Sequence, residues 1–155
     1  QYIDGYAAET LHGRTLPFAT GVKMVDPSLT VIAVGGDGDG YGIGMGHFIH
    51  ACRRDLDITY IVFNNENYAL TTGQSSPTTP IGAVTKTAPE GNIIPPLNPV
   101  ALAEHAGCKF TKNAHSKNFQ ELKEIIKQAI EHKGFAYIDV EQDCPSFRRW
   151  AIKES

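Results

Sequence analysis

Features that would place this chain among membrane, secreted or nucleic-acid-binding proteins are scarce in its 155 residues. No apolar run approaches the ~20 residues that a helix needs to cross a bilayer, so we expect no membrane partner. The three cysteines, Cys52, Cys108 and Cys144, are too widely spaced for a disulfide framework. A net charge of -3 offers no basic surface for nucleic acid. These absences favour a globular protein, which we expect in the reducing cytoplasm.

Glycine and proline are clustered rather than spread along the chain. Glycines concentrate in residues 35–46 and prolines in residues 77–99. The second cluster belongs to a stretch from Asn64 to Pro99 that shows no helical or strand periodicity. A loop of this length in a compact domain is usually functional, for example as a lid over a ligand. We therefore predict two working loops rather than disorder.

Alternating strands and helices predict the fold class. The strands are β-branched apolar runs or alternating segments, and the clearest helix carries an apolar stripe at helical spacing. We predict strands at residues 29–34, 58–63, 109–112 and 135–140, and helices at residues 16–25, 43–53, 99–105 and 118–132. Short connections between such elements indicate an α/β fold with a doubly wound, mostly parallel sheet and helices on both faces. We expect one domain over residues 1–155, internal to a longer chain because Gln1 is not an initiator methionine.

Two predicted strands end in side chains that suit a hard cation. The first runs into Gly36-Asp37-Gly38, and the second ends in Asn64-Asn65. Asp37 and Asn65 are 28 positions apart, which is the length of one helix and one return strand. A parallel β-α-β unit of that size would bring both to the same edge of the sheet. Magnesium favours a few such oxygen ligands plus phosphates, and glycine backbone can approach phosphate closely, so the pattern predicts a magnesium-diphosphate site.

Other phosphate and metal motifs fit these residues less well. No three glycines in residues 35–46 have the spacing of a dinucleotide fingerprint, and neither Lys23 nor Lys86 follows a glycine as a Walker loop requires. An EF-hand loop could use Asp37 and Asp39, but its closing glutamate is missing. A glycine turn that only connects a strand to a helix remains the structural alternative. A nucleotide-binding or purely structural α/β module remains the alternative function.

Three segments together resemble one protein family. Gly36-Asp37-Gly38 followed by Asn64-Asn65 is similar to the signature of thiamine-diphosphate-binding domains. With LHGRTLPFATG at residues 11–21, VGGDGD at residues 34–39 and NNENYALTTGQSSPT at residues 64–78, nearly the whole chain resembles the β subunit of 2-oxoacid:ferredoxin oxidoreductases. The resemblance implies a subunit, inactive without its partner, of an enzyme that oxidatively decarboxylates a 2-oxo acid to an acyl-CoA. Electrons would pass through iron–sulfur clusters to ferredoxin.

The resemblance implies roles for individual residues but no catalytic base, because the family's glutamate belongs to another domain. Mg²⁺ would be held by the side chains of Asp37 and Asn65 and by the main-chain carbonyl of Asn67. Gly38 and Asp39 would contact the diphosphate, and Ala69 and Leu70 would close over it from the long loop. The residues implied to contact thiamine diphosphate are His12, Gly38, Asp39, Ala69 and Leu70. The chain departs slightly from the family at position 72, where threonine replaces a common glycine. Its main departure is in the cysteines of the iron–sulfur cluster.

Cys144-Pro145 lies just after the last predicted strand, a context that recurs at iron–sulfur ligands. From the residues alone, a free cysteine in a loop is the favoured interpretation. The resemblance instead implies that Cys144 is the last ligand of a [4Fe–4S] cluster whose other three cysteines lie upstream of Gln1. Cys52 and Cys108 do not match those positions.

The resemblance also implies partners. They are an alpha subunit, with or without gamma and delta subunits, ferredoxin, a 2-oxo acid and coenzyme A. The sequence leaves open whether the acid is pyruvate, 2-oxoglutarate or another. The nearest alternative enzyme is another thiamine-diphosphate protein, either a non-oxidative 2-oxo acid decarboxylase or an acetolactate-synthase relative.

Overall fold

The computed structural model describes residues 5–147, and its strands and helices alternate along the chain. The strands are β1 (Val31–Gly36), β2 (Ile58–Asn64), β3 (Asn67–Tyr68), β4 (Gln74–Ser75), β5 (Phe110–His115) and β6 (Ala136–Glu141). The helices are α1 (Thr15–Val25), α2 (Met45–Arg54), α3 (Pro99–His105) and α4 (Phe119–Glu131), and a wide helical turn, Gly38–Ile43, precedes α2. Within the described residues, no helix is long and apolar enough to cross a membrane.

β1, β2, β6 and β5 form one parallel sheet in that order, with β6 between β2 and β5. The register pairs Gly36 with Phe63 and Asn64 with Glu141, so β1, β2 and β6 end at one edge. Because helices cover both faces of a parallel sheet, the central strand β2 is almost entirely buried. β3 and β4 form a separate antiparallel hairpin within the long loop. The predicted α/β class is confirmed.

Helices pack on both faces of the sheet. On one face, α1, α2 and α3 cover an aromatic core in which the ring centres of Phe48 and Tyr137 lie 4.7 Å apart. On the other face, α4 covers an aliphatic core that includes Ile61, Ile138 and Val140. The sheet is therefore doubly wound, as predicted.

Local sequence signals explain where the helices begin and end. Asn98 caps α3 as predicted, since its side-chain oxygen accepts a hydrogen bond from the Ala101 amide at 3.0 Å. Gly134 follows α4 with a φ of +115°, in the left-handed region that glycine tolerates. α4 buries Ala129 but leaves its first residue, Phe119, exposed. The prediction that the apolar stripe of this helix includes Phe119 is therefore wrong.

The glycine cluster, predicted as a loop, is helical in part. Its residues wind into a helical turn that leads into α2. Tyr60 packs where a side chain on Gly40 would stand, and Tyr68 packs where one on Gly38 would stand. The glycines therefore let two tyrosine rings approach the backbone closely. This packing offsets the low helix propensity of glycine.

Candidate functional site

The ends of β1 and β2 bring the predicted metal ligands to one place. Asp37 follows β1 and Asn65 follows β2, and the parallel register makes these strands end side by side. The Asn65 backbone lies close enough to the Asp37 carboxylate to lower its pKa. Thr78, from the long loop, has its hydroxyl 3.0 Å from Asp37 Oδ2 and 2.9 Å from Asn64 Oδ1. Two strand ends and the loop thus meet around one buried carboxylate.

The electrostatics of Asp37 suit a metal ligand. The residue is 2% exposed, and burial raises the pKa of its carboxyl. Hydrogen bonds from Ser76, Thr78 and the Asn65 amide lower that pKa, but less strongly than burial raises it. Neutral donors therefore offset only part of the cost of this buried charge. A bound cation would offset the remainder.

The turn at residues 65–67 presents a buried amide oxygen. The Asn67 amide donates to Asn65 Oδ1 at 3.2 Å, and Asn67 Nδ2 donates to the Asn65 carbonyl at 2.9 Å. Glu66 between them has a φ of +61°, which is uncommon for a residue with a side chain. Asn67 is buried, and its Oδ1 has no hydrogen-bond partner among residues 5–147. A cation or a ligand donor would satisfy this oxygen.

Tyr68 closes one side of the glycine turn. Its ring lies against Gly38, and its hydroxyl donates to the Gly38 carbonyl at 3.2 Å. Burial, together with the negative charges of Asp37 and Asp39, raises the pKa of the Tyr68 hydroxyl. Tyr68 therefore stays a neutral donor that holds the backbone of the turn in place.

Asp39 connects the glycine turn to the segment that carries His12. Its Oδ1 accepts a hydrogen bond from the Gly13 amide at 2.6 Å and lies 3.3 Å from His12 Nδ1. The His12 ring is half exposed, and its centre lies 6.2 Å from that of Tyr68. The Asp39 carboxylate thus has protein partners, and its charge would repel a phosphate. A contact between Asp39 and a diphosphate would therefore use the backbone.

Ala69 and Leu70 lie in the turn between β3 and β4, which starts just after the end of β2. Leu70 is 98% exposed, so its side chain is open to a ligand or a partner. Thr72 has a φ of +80° and Gly73 a φ of +95°, and their amides bond back to the carbonyls of Ala69 and Tyr68. The left-handed backbone at Thr72 explains why glycine suits this position in the family that the chain resembles.

Cys144 follows β6 at the same edge of the sheet. The Gln142 amide donates to the Asn64 carbonyl at 2.9 Å. The segment that leads from β6 to Cys144 therefore runs beside the end of β2. The Cys144 thiol is free and buried. In the described part of the chain, no group of three or more His, Cys, Asp or Glu side chains is placed to hold a metal ion. These residues therefore supply one candidate thiol where a [4Fe–4S] cluster needs four.

Three polar residues around the site, Tyr68, Thr78 and Asp139, were not among the predicted ones. Asp139 lies in β6 and is 3% exposed, and it accepts hydrogen bonds from the Tyr41 hydroxyl at 2.6 Å and from Asn64 Nδ2 at 3.2 Å. A carboxylate on the inward side of a buried strand is an unusual signal that could have found it. Tyr68 and Thr78 lie in a long polar loop, where spacing carries no such signal.

Comparisons with known proteins give this arrangement a family context. Residues 1–140 match the family described as thiamine pyrophosphate enzyme, C-terminal TPP binding domain. The chain is 52% identical over 145 residues to the 2-oxoacid:ferredoxin oxidoreductase subunit beta of Saccharolobus solfataricus, covering 94% of this chain and 48% of that protein. It is 44% identical over 149 residues to the 2-oxoglutarate synthase subunit KorB of Archaeoglobus fulgidus, covering 96% of this chain and 56% of that protein. The chain thus spans about half the length of the curated relatives it matches.

Solved structures are similar as well. The 2-oxoglutarate:ferredoxin oxidoreductase from Magnetococcus marinus, with 2-oxoglutarate, coenzyme A and succinyl-CoA bound, matches with a TM-score of 0.87 and 39% identity. That match covers 89% of this chain and 47% of the other. A thiamine diphosphate-dependent 4-hydroxybenzoylformate decarboxylase from Rhodococcus jostii matches with a TM-score of 0.61 at 22% identity, covering 86% of this chain and 24% of the other. The second likeness is one of fold alone.

Proposed function

Since the chain belongs to the thiamine pyrophosphate enzyme family, as its C-terminal TPP-binding domain, we propose that it is the cofactor-binding part of the beta subunit of a 2-oxoacid:ferredoxin oxidoreductase. The names of its relatives at 52% and 44% identity support this subunit assignment. The observation that carries the proposal is the meeting of Asp37, Asn65 and Asn67 at one strand edge, beside glycine backbone. One carboxylate and two asparagines form the oxygen-rich set that Mg²⁺ and a diphosphate require.

The residues present fit Mg²⁺. Asp37 would supply the anionic ligand, Asn65 an amide oxygen, and Asn67 a third oxygen from its main chain, as the family resemblance implies. The buried Asn67 Oδ1, which lacks a partner among the described residues, supports the presence of an ion or donor group at this strand end. Mg²⁺ usually keeps few protein ligands and completes its shell with phosphate oxygens and water, so three protein ligands suffice.

We propose that this chain binds and orients the cofactor and does not itself transfer protons. Bound thiamine diphosphate supplies the nucleophilic carbon and the electron sink for the decarboxylation of a 2-oxo acid. Gly38 and the Asp39 backbone would contact the diphosphate, and His12, held by the Asp39 carboxylate, would contact the cofactor. Ala69 and Leu70 would close over it from the hairpin. Holding a reactant in one pose lowers the barrier entropically, although the chain would stay inactive without its partner subunit.

We propose a 2-oxo acid as substrate, an acyl-CoA as product and ferredoxin as electron acceptor. The similar Magnetococcus marinus enzyme holds 2-oxoglutarate, coenzyme A and succinyl-CoA, and the Archaeoglobus fulgidus relative is named a 2-oxoglutarate synthase subunit. 2-Oxoglutarate is therefore the first acid to assay, and pyruvate is the second. A non-oxidative decarboxylase, the nearest alternative, would release an aldehyde and would need neither coenzyme A nor ferredoxin.

We further propose that Cys144 is one of four thiolate ligands of a [4Fe–4S] cluster. Residues 5–147 do not assemble such a site by themselves, so the other ligands have to come from elsewhere in the subunit. Iron and acid-labile sulfide in the assembled enzyme measure this, and we expect Cys144→Ser to lower both. Unchanged iron content in that variant would contradict the role of Cys144. Free thiols at all three cysteines agree with the reducing cytoplasm that we propose.

Calorimetry on the assembled enzyme, freed of cofactor, tests the proposed function. We expect thiamine diphosphate to bind when Mg²⁺ is present and to bind far more weakly after a chelator removes Mg²⁺. ATP and NAD⁺ are matched ligands, since each carries phosphate groups without a thiazolium ring. Binding of either nucleotide in place of thiamine diphosphate would favour the nucleotide-binding alternative. Acyl-CoA formation coupled to ferredoxin reduction separates the proposed enzyme from a non-oxidative decarboxylase.

A further inference from the structure

A line of buried hydrogen bonds connects the Asp37 site to the centre of the sheet. It starts at Thr78, whose hydroxyl lies 3.0 Å from Asp37 Oδ2 and 2.9 Å from Asn64 Oδ1. Asn64 Nδ2 then donates to Asp139 Oδ2 at 3.2 Å, and the Tyr41 hydroxyl donates to Asp139 Oδ1 at 2.6 Å. Every side chain in this line is buried: Asp37, Thr78, Asn64, Asp139 and Tyr41.

Asp139 is the energetically costly member of this line. Its hydrogen bonds come from the neutral donors Tyr41 and Asn64, and no cation pairs with it in the described part of the chain. Burial raises its pKa to about 6, and the charges of Glu141 and Asp37 act in the same direction. A buried carboxylate without a cation costs more than an apolar residue of similar size. Its presence in β6 therefore points to a task other than stability.

Asp139 and the Glu66 amide together set which way the Asn64 amide faces. An ionised carboxylate only accepts hydrogen bonds, so it holds the Nδ2 end of Asn64. The Oδ1 end is then turned toward the loop, where it accepts from the Glu66 amide at 3.2 Å and lies 2.9 Å from the Thr78 hydroxyl. A donor at position 139 would instead favour the reversed amide, with Nδ2 facing Thr78.

Thr78 passes the orientation of Asn64 on to Asp37. Its hydroxyl has one proton and two acceptors within reach, Asn64 Oδ1 and Asp37 Oδ2. If Asn64 were reversed, Thr78 would accept from Nδ2 and direct its proton wholly to Asp37. That stronger hydrogen bond would compete with a cation for the same carboxylate.

We propose that Asp139 is a positioning residue for the metal site. Acting through Asn64, it keeps the Thr78 proton shared, so that Asp37 can give its carboxylate to Mg²⁺ in a fixed orientation. The inference rests on the proposed function. It adds a residue of β6 to a site otherwise built from β1, β2 and the loops that follow them.

Asp139→Asn in the assembled enzyme tests the proposal. Because the Tyr41 hydroxyl donates to position 139, we expect the new amide to turn its oxygen toward Tyr41 and its Nδ2 toward Asn64, which would then have to turn over. We expect the Kd of thiamine diphosphate at fixed Mg²⁺ to rise about tenfold to a hundredfold, the range usual for residues that orient metal ligands. Calorimetry measures the Kd, and a thermal melt measures stability in the same samples.

The double variant Asn64→Asp/Asp139→Asn provides the rescue. It exchanges the carboxylate and the amide, so the amide at position 139 can donate to the carboxylate at position 64. That carboxylate still accepts from Thr78 and from the Glu66 amide, and the total charge is unchanged. We expect a Kd no more than about threefold above that of the wild type, since coupled neighbours compensate each other. A Kd as high as that of Asp139→Asn would overturn the proposal.

Thr59→Val is the matched control for a buried polar group in the same sheet. Thr59 is buried and donates to the Ala129 carbonyl at 3.1 Å on the α4 face. We expect this variant to lower the melting temperature and leave the Kd unchanged. Asp139→Asn with the same pattern, altered melting and an unchanged Kd, would mean that Asp139 has a structural role only.

Two further outcomes are decisive. If Asp139→Asn does not fold, Asn64→Ala carries the test, because it removes the acceptor that shares the Thr78 proton. We expect its Kd to rise in the same range, and an unchanged Kd would overturn the role of the line. Failure of the wild type to bind thiamine diphosphate would overturn the proposed function itself, which separates the two failures.

Discussion

The two faces of the sheet bury different chemistry. The face under α1, α2 and α3 holds the hydroxyls of Tyr41 and Tyr137 and the carboxylate of Asp139. The face under α4 holds aliphatic side chains such as Ile138 and Val140. Successive residues of a strand point to opposite faces, so β6 supplies both kinds. The comparison suggests that one face supports the strand ends at the site, whereas the other contributes stability alone.

The largest effect is expected at the strand end itself. Asp37→Ala removes the anionic ligand from the proposed site, so we expect the assembled enzyme to lose thiamine diphosphate and Mg²⁺ on desalting. Cofactor content after gel filtration measures the loss. Asp26→Ala, the same change at an exposed carboxylate after α1, should keep its full complement. Wild-type cofactor content in Asp37→Ala would contradict the site.

A substitution on the α4 face should have the converse effect. Ile138 is fully buried there, so we expect Ile138→Ala to lower the free energy of unfolding by about 2–5 kcal/mol through lost burial and a cavity. Denaturant titration measures this, and calorimetry at a temperature where the variant is folded should give the wild-type Kd for thiamine diphosphate. A raised Kd would show that both faces support the site, contrary to the difference between the faces described above.

The face under α1, α2 and α3 should also carry a pH dependence. Burial raises the pKa of Asp139 from an ordinary 3.8 to about 6, so between these values the folded chain holds a proton that the unfolded chain releases. The contribution of Asp139 to the free energy of unfolding therefore falls by about 3 kcal/mol as the pH rises through this window. Thermal melts of the cofactor-free enzyme should show a smaller fall for Asp139→Asn, in which Asp37 and Glu141 still titrate.

Asp55 supplies a control of the opposite sign. A hydrogen bond from Lys109 lowers its pKa, with a smaller contribution from the Phe135 amide. Its stabilising effect is therefore present above the ordinary pKa of an aspartate and is lost as the pH falls. Asp55→Asn should accordingly lose less stability on acidification than the wild type does. If Asp55→Asn and Asp139→Asn changed the pH dependence of stability in the same direction, the opposite pKa shifts of the two carboxyl groups would be contradicted.

The smallest effect is expected in the hairpin, which belongs to neither face. Thr72 has a φ of +80°, so Thr72→Gly relieves backbone strain but adds freedom to the unfolded chain. We expect a net stabilisation of about 0.5 kcal/mol, visible as a small rise in melting temperature. Thr71→Gly, one residue earlier, relieves no such strain and should destabilise by a similar amount. Destabilisation by both substitutions would mean that the Thr72 side chain matters more than its backbone.

Periodicity and strand-end chemistry predicted much of what places the site. Asp37 and Asn65 were expected to meet, and the parallel register of β1 and β2 does place them at the same edge of the sheet. Thr78 was not predictable, because the position of a loop hydroxyl depends on how the whole loop folds, which no period encodes. The link between Asp139 and the site was not predictable for a related reason, although its place in a buried strand was a signal. The strand that carries Asp139 was predicted, but its partner Asn64 lies on another strand. The spacing of residues along the chain does not indicate which distant strands pair.

The position of β6 has a consequence for biosynthesis. It lies between β2 and β5, although it is the last of the four strands to leave the ribosome. A nascent chain that has emerged only as far as β5 can join β1 to β2, but among the described strands β5 has no neighbour to pair with until β6 arrives. Pairing between strands so distant in sequence is slow. Insertion of β6 therefore joins the four described strands into one sheet. A translation product that stops short of β6 would leave β5 unpaired with them and exposed to proteases.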